Sequence, residues 1–120
     1  MLSTQTIPLF RIFDQHKALE FYIDWLGFRV DWSHGHPDMP LYMQVSLGNL
    51  ILHLTEHHGD CCPGAKAFVN CTGLKAYHQQ LLDKQYKYNR PGIELAPWNA
   101  YTVTVIDPFG NKLLFSETIS

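Results

Sequence analysis

The sequence predicts an α+β fold made of two copies of one βαβββ module. The main observation is an internal repeat, in which GNLILHLTE at 48–56 is echoed by GNKLLFSE at 110–117. Each copy begins with a Gly-Asn turn, continues with apolar residues and ends with a hydroxyl residue followed by Glu. Strands with alternating polar and apolar residues precede both copies. Because repeated segments mark duplicated structural units, two similar half-chains are expected.

The modules are expected at residues 4–56 and 66–118, joined by a linker at 57–65, within one domain spanning all 120 residues. A chain of this length buries roughly two thirds of the surface that it exposes when unfolded, which suffices for a core. The repeat keeps a similar offset along the chain, since Lys17 returns as Lys75 after 58 residues and the Gly-Asn turns lie 62 residues apart.

The first module opens with a strand and a helix. Residues 6–13 are mostly apolar and β-prone, and Pro8 should lie near the strand start because proline cannot donate a ladder hydrogen bond. Asp14 is a candidate helix N-cap, and Gly27 is a residue type that commonly ends helices. Between them, apolar residues recur at the i, i+3, i+4 and i+7 spacing of a helix packed on a sheet. These are Ala18, Phe21, Tyr22 and Trp25.

Three more strands complete the first module. Alternation at 28–32 sets Phe28, Val30 and Trp32 on one face. Alternation at 41–47 predicts the next strand and sets Tyr42 and Gln44 on the face that His53 shares. Residues 50–55 are its hairpin partner. The Gly and Pro content of residues 34–40 predicts a loop between the first two of these strands.

The second module repeats this plan. A strand is predicted at 66–71, and Thr72 is a candidate N-cap for a helix with apolar residues at helical spacing. A loop is predicted at 89–99. The last hairpin, 100–106 and 112–117, turns at DPFGN, whose Asp, Pro and Gly suit a tight turn.

Composition excludes several classes of function. A formal net charge of −2 leaves no basic surface for nucleic acid. No apolar run approaches the ~20 residues that span a bilayer, so no membrane partner is expected. The N-terminus lacks the features of a secretion signal, and three cysteines suit a reducing compartment better than a disulfide framework. The sequence therefore predicts a cytoplasmic protein.

Several motifs resemble those of the vicinal oxygen chelate superfamily, which includes glyoxalases, dioxygenases and bleomycin-resistance proteins. They are ALEFY at 18–22 with LGF at 26–28, and DPFGN at 107–111 with LLF at 113–115. HLTEHHGDCCPG and RPGIELAPW are most similar to the bleomycin-resistance branch. The resemblance implies paired βαβββ modules with helices outside and a central cavity between curved sheets. It also implies a homodimer whose grooves are shared between subunits.

Metal-using members of this superfamily carry His, Gln or Glu at four strand positions. The resemblance maps these positions onto Ile7, His53, Lys66 (or Ala67) and Leu114. Only His53 can coordinate a metal, and one imidazole does not hold a divalent ion. No metal, cofactor or catalytic residue is therefore expected. The pairs His57-His58 and Cys61-Cys62 also lack the spacing of a zinc site.

Alternation and the resemblance together select candidate ligand-binding residues that line the cavity between the sheets. They are Arg11, Trp32, Tyr42, His53, Phe68, Trp98, Thr102 and Thr104. A flat ring such as Trp32 or Trp98 can stack on a planar or cationic group. Some of these residues could instead fill an inter-sheet core, and the two tryptophans could instead plug a dimer interface.

Three functions are compatible with these residues and with the resemblance. The first is sequestration of a bleomycin-like antibiotic or similar small molecule without catalysis, for which a mildly acidic groove with aromatic walls suits a cationic, flat ligand. The second is a metal-dependent lyase, isomerase or dioxygenase with an unusual ligand set around His53. The third is a binding module for an endogenous metabolite.

Overall fold

The computed structural model describes residues 1–35 and 39–120, so the predicted loop at 34–40 lies partly outside the described residues. Within the described ranges, eight strands form two four-stranded sheets. The strands are β1 Leu9–Arg11, β2 Arg29–His34, β3 Tyr42–Leu47, β4 Leu50–Thr55, β5 Lys66–Asn70, β6 Ile93–Ala96, β7 Ala100–Ile106 and β8 Lys112–Thr118.

The two sheets repeat one topology, as the duplicated sequence predicts. Their strand orders are β1-β4-β3-β2 and β5-β8-β7-β6. In both sheets the first strand pairs parallel with the last, and the remaining neighbours pair antiparallel. The α+β fold of two repeated modules is therefore confirmed.

Helix α1 runs over Gln15–Leu19 and continues over Glu20–Trp25 with wider, π-helical geometry. The Asp14 carboxylate accepts a hydrogen bond from the Lys17 backbone N–H at 2.8 Å, which confirms the predicted N-cap. After the helix, Gly27 takes a left-handed conformation with a φ of +89°. This is the conformation that ends many helices and that glycine adopts without strain.

Helix α2, Leu74–Asp83, begins differently from the prediction. Its N-cap is Gly73 rather than Thr72, and glycine has no side chain that could accept from the first N–H groups of the helix. The Glu117 carboxylate, on β8, accepts from the backbone N–H groups of Gly73 at 3.1 Å and Leu74 at 3.0 Å. A carboxylate from a distant strand thus satisfies the free donors that a local hydroxyl was expected to satisfy.

The predicted loop at 89–99 contains a strand that the sequence pattern did not reveal. Strand β6 pairs antiparallel with β7, Ile93 opposite Val103 and Ala96 opposite Ala100. Its four residues are too few to display a period, and prolines at 91 and 97 flank it closely.

The hydrophobic core lies between the two sheets and the helices. It includes Phe10, Phe21 and Trp25 from the first half and Val105 and Phe115 from the second. Two hydrogen bonds also connect the helical segment of the first module to that of the second. The Trp25 indole N–H donates to the Leu81 carbonyl at 3.0 Å, and the Tyr77 hydroxyl to the Leu26 carbonyl at 2.6 Å.

The DPFGN turn joins the two modules. Asp107 Oδ1 accepts from the backbone N–H groups of Phe109 at 2.9 Å and Asn111 at 2.8 Å, which closes the turn. Its Oδ2 accepts from the Tyr22 hydroxyl on α1 at 2.7 Å. The Asn111 side chain donates to the Arg11 carbonyl on β1 at 2.7 Å. A motif predicted as a turn therefore also holds one module against the other.

The chain is flat, with extents of 48 × 43 × 23 Å. The core occupies one face of each sheet, and the opposite faces carry polar and aromatic side chains that stay partly exposed. No helix within residues 1–35 and 39–120 is long and apolar enough to cross a membrane.

Candidate functional site

A β-bulge brings Trp32 onto the polar face of the first sheet. Val30 pairs with Val45, which is fully buried in the core, whereas Trp32 pairs with Gln44 on the opposite face. The register shifts between Val30 and Trp32, so Asp31 and Trp32 share a position that one residue would otherwise fill. Strict alternation, which set Trp32 beside Val30, is therefore wrong at this point.

A chain of hydrogen bonds crosses this face from strand to strand. The Tyr42 hydroxyl and His53 Nδ1 lie 2.7 Å apart, and His53 Nε2 lies 3.0 Å from Gln44 Oε1. Gln44 Nε2 donates to Asp31 Oδ2 at 3.0 Å. Since the Gln44 oxygen can only accept, His53 carries its proton on Nε2 and accepts from Tyr42 on Nδ1. Trp32, Tyr42, His53, Gln44 and Asp31 are called the platform below.

Further hydrogen bonds hold Asp31, which is the last residue of this hydrogen-bond network. Its Oδ1 accepts from the Ser46 hydroxyl and from Arg29 Nε, both at 3.0 Å. These bonds stabilise the charged carboxylate, so those from Gln44 and Ser46 lower the pKa of Asp31 most. Arg29 adds an ion pair to the same oxygen.

The rings of the platform pack against one another while leaving surface exposed. Trp32 and Tyr42 are nearly parallel, at an angle of 5° with centroids 5.9 Å apart. Trp32 meets His53 edge-on at 5.3 Å, and 38% of Trp32 remains exposed. Two further imidazoles extend the aromatic surface, since His34 lies 5.2 Å from Trp32 and His57 lies 6.2 Å from Tyr42. His34 was expected in a loop but is the last residue of β2.

Each titratable ring of the platform is held neutral near pH 7. Burial lowers the pKa of His53, because desolvation disfavours the imidazolium. Burial also raises the pKa of Tyr42, and the charges of Asp60 and Cys61 raise it further. The platform therefore presents neutral rings with one carboxylate beneath its far edge.

The metal positions of the superfamily do not fit a metal ion in this chain. Both nitrogens of His53 are engaged by Tyr42 and Gln44, so coordination would break one of these bonds. Leu114 lies opposite Phe68 and Thr104 on the second sheet and offers no ligand atom. Within residues 1–35 and 39–120, no three His, Cys, Asp or Glu side chains come together to hold a metal.

The second sheet carries a separate aromatic cluster. The rings of Phe68 and Trp98 lie 6.2 Å apart, and more than half of each residue is exposed. The Trp98 indole N–H donates to the Ser116 hydroxyl at 3.3 Å, which fixes the ring against β8. Thr102 is buried on the same face, and its hydroxyl lies 3.5 Å from the Glu94 carbonyl. Phe68, Trp98 and Ser116 are called the second-sheet cluster below.

The remaining predicted residues, Arg11 and Thr104, lie outside both groups. The Arg11 guanidinium stands over the Phe13 ring, 4.5 Å from its centroid. Thr104 lines a cavity of about 650 Å³ with Tyr86, Tyr88 and Arg90. A larger cavity of about 730 Å³ lies between α2 and the β3–β4 turn and contains none of the predicted residues. The eight predicted ligand-binding residues thus lie on two different sheets and at the edges of those sheets.

Sequence reasoning missed Asp31 and His34 as neighbours of Trp32. Alternation along β3 and β4 did place Gln44 beside Tyr42 and His53, and the register agrees. Asp31 is different, because only the bulge turns it toward Gln44 and Ser46. No feature of the sequence around Asp31 marks the bulge.

Comparison with known proteins identifies the family. The model for glyoxalase superfamily proteins matches residues 1–120. No curated protein sequence matches the chain significantly.

Among solved structures, similar chains include several antibiotic-binding proteins. A bleomycin resistance determinant encoded on transposon Tn5 superposes with a TM-score of 0.77 at 20% identity, over 98% of this chain and 100% of that one. The bleomycin-binding protein of Streptomyces verticillus, solved with copper(II)-bleomycin, gives 0.72 at 23% identity, over 99% and 100%. An antibiotic-binding protein from a Streptomyces species gives 0.72 at 19% identity, over 99% and 100%. At these identities the likeness establishes the fold.

Proposed function

We propose that this chain, which belongs to the glyoxalase superfamily, binds a flat organic molecule and sequesters it without catalysis. A bleomycin-like antibiotic is the first candidate ligand, because proteins of the same fold bind bleomycin. The ligand-binding face is the platform on the first sheet, and its partner surface is the second-sheet cluster.

One observation supports binding over catalysis: the polar groups of the platform already satisfy one another. His53 uses both nitrogens within the platform, and Asp31 accepts from three side chains. A general base must reach a substrate proton with a free acceptor. In the platform, His53 has no free acceptor, whereas 38% of Trp32 remains exposed. Such a surface favours stacking of a planar ligand.

We also propose that the protein is a homodimer in which the second-sheet cluster of one copy faces the platform of the other. The flat shape of the chain leaves both aromatic surfaces exposed on their sheets. Exposed aromatic surface of this kind is typical of interaction sites. A groove with aromatic walls on both sides would result.

Tryptophan fluorescence titration with bleomycin tests the proposal. The expected result is saturable quenching at micromolar drug, lost in Trp32→Ala and unchanged in Tyr88→Ala. Tyr88 is a suitable control because it is an exposed aromatic residue outside the platform and the second-sheet cluster. Saturable binding that survives Trp32→Ala, or no binding of bleomycin and other flat heteroaromatic compounds, contradicts the proposal.

Mixing two variants tests the shared groove. Trp32→Ala and Trp98→Ala each remove one wall, so each homodimer should bind poorly. Refolded together, they form a heterodimer with one intact groove, and part of the binding should return. Sedimentation should give about twice the 13.8 kDa chain mass. A monomer, or a mixture without recovered binding, argues against the shared groove.

A further inference from the structure

Arg11 contains a buried donor, its Nε, that has no hydrogen-bond partner among the residues that the structure describes. Within residues 1–35 and 39–120, its Nε is the only fully buried side-chain nitrogen or oxygen without a hydrogen-bond partner. Buried polar groups in folded proteins are nearly always paired, so an exception needs a physical explanation. The terminal nitrogens of the same guanidinium are not fully buried, so a ligand can reach those nitrogens although it cannot reach the Nε.

The guanidinium of Arg11 is also without a counter-ion among these residues. The described salt bridges join His16 to Glu20 and Arg29 to Asp31, and neither involves Arg11. The nearby Asp60 carboxylate is committed to the Thr55 hydroxyl, from which it accepts at 2.7 Å. The Phe13 ring supports the guanidinium from below at 4.5 Å.

The charge of Arg11 reaches the linker loop beside the platform. Burial and Asp60 raise the pKa of the Cys61 thiol, while the positive charge of Arg11 lowers it. Arg11 also pairs with Thr55 in the sheet, and the Thr55 hydroxyl donates to Asp60, so Arg11 lies beside the start of the linker. A single unpaired guanidinium thus lies at this edge of the first sheet.

Strand register places Arg11 on the same face as the platform. Arg11 pairs with Thr55, and Thr55 pairs with Tyr42. Successive side chains on one face of a sheet belong to strands about 4.8 Å apart, so the Arg11 and Tyr42 positions are separated by roughly 10 Å. A ligand of modest length covers both positions.

We propose that Arg11 recognises a carboxylate on the ligand whose flat ring stacks on the platform. The inference rests on the proposed function and replaces the cationic ligand expected from the sequence with an aromatic carboxylic acid, whose ring and carboxylate reach side chains on strand positions roughly 10 Å apart. The guanidinium fork matches a carboxylate in a charge-assisted, bidentate geometry. Such a ligand supplies the counter-ion that the Arg11 guanidinium lacks within residues 1–35 and 39–120, and it binds through the terminal N–H groups because the Nε is buried.

Isothermal titration with pyrenebutyrate and its neutral amide, pyrenebutyramide, tests this inference. The two probes share the ring and chain and differ only in charge. Wild-type protein should bind the acid about tenfold or more tightly than the amide. Arg11→Met should bind both probes equally, and Arg11→Lys should keep part of the preference, because an ammonium retains charge but lacks the fork. Arg90→Met is a control that removes another arginine and should leave the preference intact.

Thermal unfolding without ligand separates recognition from a structural role. Because Arg11→Met removes an unpaired buried donor, its melting temperature should equal or exceed that of the wild type. A lower melting temperature with the acid preference retained overturns the inference. Dissociation of the Arg11→Met dimer under conditions where the wild type stays dimeric also overturns it, because Arg11 would then bind the partner subunit.

The probes also distinguish the two proposals. Equal binding of acid and amide by the wild type, lost for both in Trp32→Ala, removes the role of Arg11 and leaves the proposed function standing. Binding of both probes that is unaffected by Trp32→Ala removes both proposals.

Discussion

Two aspartates with similar networks play different parts in this molecule. Asp107 accepts from Tyr22 and from Asn111 in the DPFGN turn, and all three residues are at most 4% exposed. Asp31 accepts from Gln44 and Ser46 on an open face of the first sheet. The Asp107 carboxylate thus joins the two modules, and the Asp31 carboxylate joins β2 to β3.

The pKa shifts of the two carboxylates have opposite directions. Burial raises the pKa of Asp107 more than its hydrogen bonds lower it. Hydrogen bonds dominate at Asp31 and lower its pKa, because water still solvates that carboxylate. Burial likewise raises the pKa of Tyr22 well above its ordinary value. A carboxylate with several hydrogen-bond donors therefore stabilises the fold at Asp107, where water is excluded, and orders an exposed surface at Asp31, where water has access.

The largest effect should come from removing the buried Asp107 carboxylate. Asp107→Ala leaves the Tyr22 hydroxyl and the Asn111 donors buried without an acceptor, which should lower the free energy of unfolding by about 3 kcal/mol or more. Asp31→Ala frees the Gln44 and Arg29 donors on an exposed face and leaves only the buried Ser46 hydroxyl without this acceptor, so the urea midpoint should move less. Equal shifts in the two urea midpoints would falsify the distinction between a structural and a surface network.

A smaller effect is expected from the paired tyrosine variants. Tyr22→Phe removes one donor to Asp107 and should cost about 1–2 kcal/mol of unfolding free energy. Tyr42→Phe removes the donor to His53 Nδ1 on a partly exposed face and should cost about 0.5 kcal/mol or less. Urea unfolding monitored by circular dichroism measures both values. The comparison fails if Tyr42→Phe is the more destabilising change.

The smallest effect is a pH dependence at His53. Burial lowers its folded-state pKa, while the unfolded imidazole titrates near 6.5. Below pH 6.5 the unfolded state therefore binds more protons, so the stability present above 6.5 is lost as pH falls through the folded pKa. His53→Gln should reduce the change in urea midpoint between about pH 7.5 and pH 5. An NMR titration midpoint for His53 at or above 6.5 would contradict this expectation.

Much of the fold could be predicted from residue patterns because those patterns are local. The repeat at 48–56 and 110–117 marks equivalent hairpins, and the register confirms β4 and β8 as equivalent strands. The Asp14 cap and the Gly27 terminus follow from groups within a few residues of each other. Pairing of β3 with β4 places Tyr42, Gln44 and His53 on one face, as alternation predicts.

The failures occur where the partner is distant in sequence. Glu117, which is 43 residues from Leu74 in the sequence, caps α2 in place of Thr72, the expected N-cap. Strand β6 exists because β7 is available to pair with it, although its own four residues show no period. The bulge at Asp31 is stabilised by Gln44 and Ser46 on the neighbouring strand.

By itself the sequence determined the duplicated βαβββ plan and the faces of the regular strands. These properties depend on residue type and short-range spacing. Tertiary structure alone decided that Trp32 joins Tyr42 and His53, that Asp107 is buried while Asp31 is solvated, and that the Nε of Arg11 has no partner within 1–35 and 39–120. Each of these depends on which atoms a neighbouring strand supplies and on how much water that packing excludes.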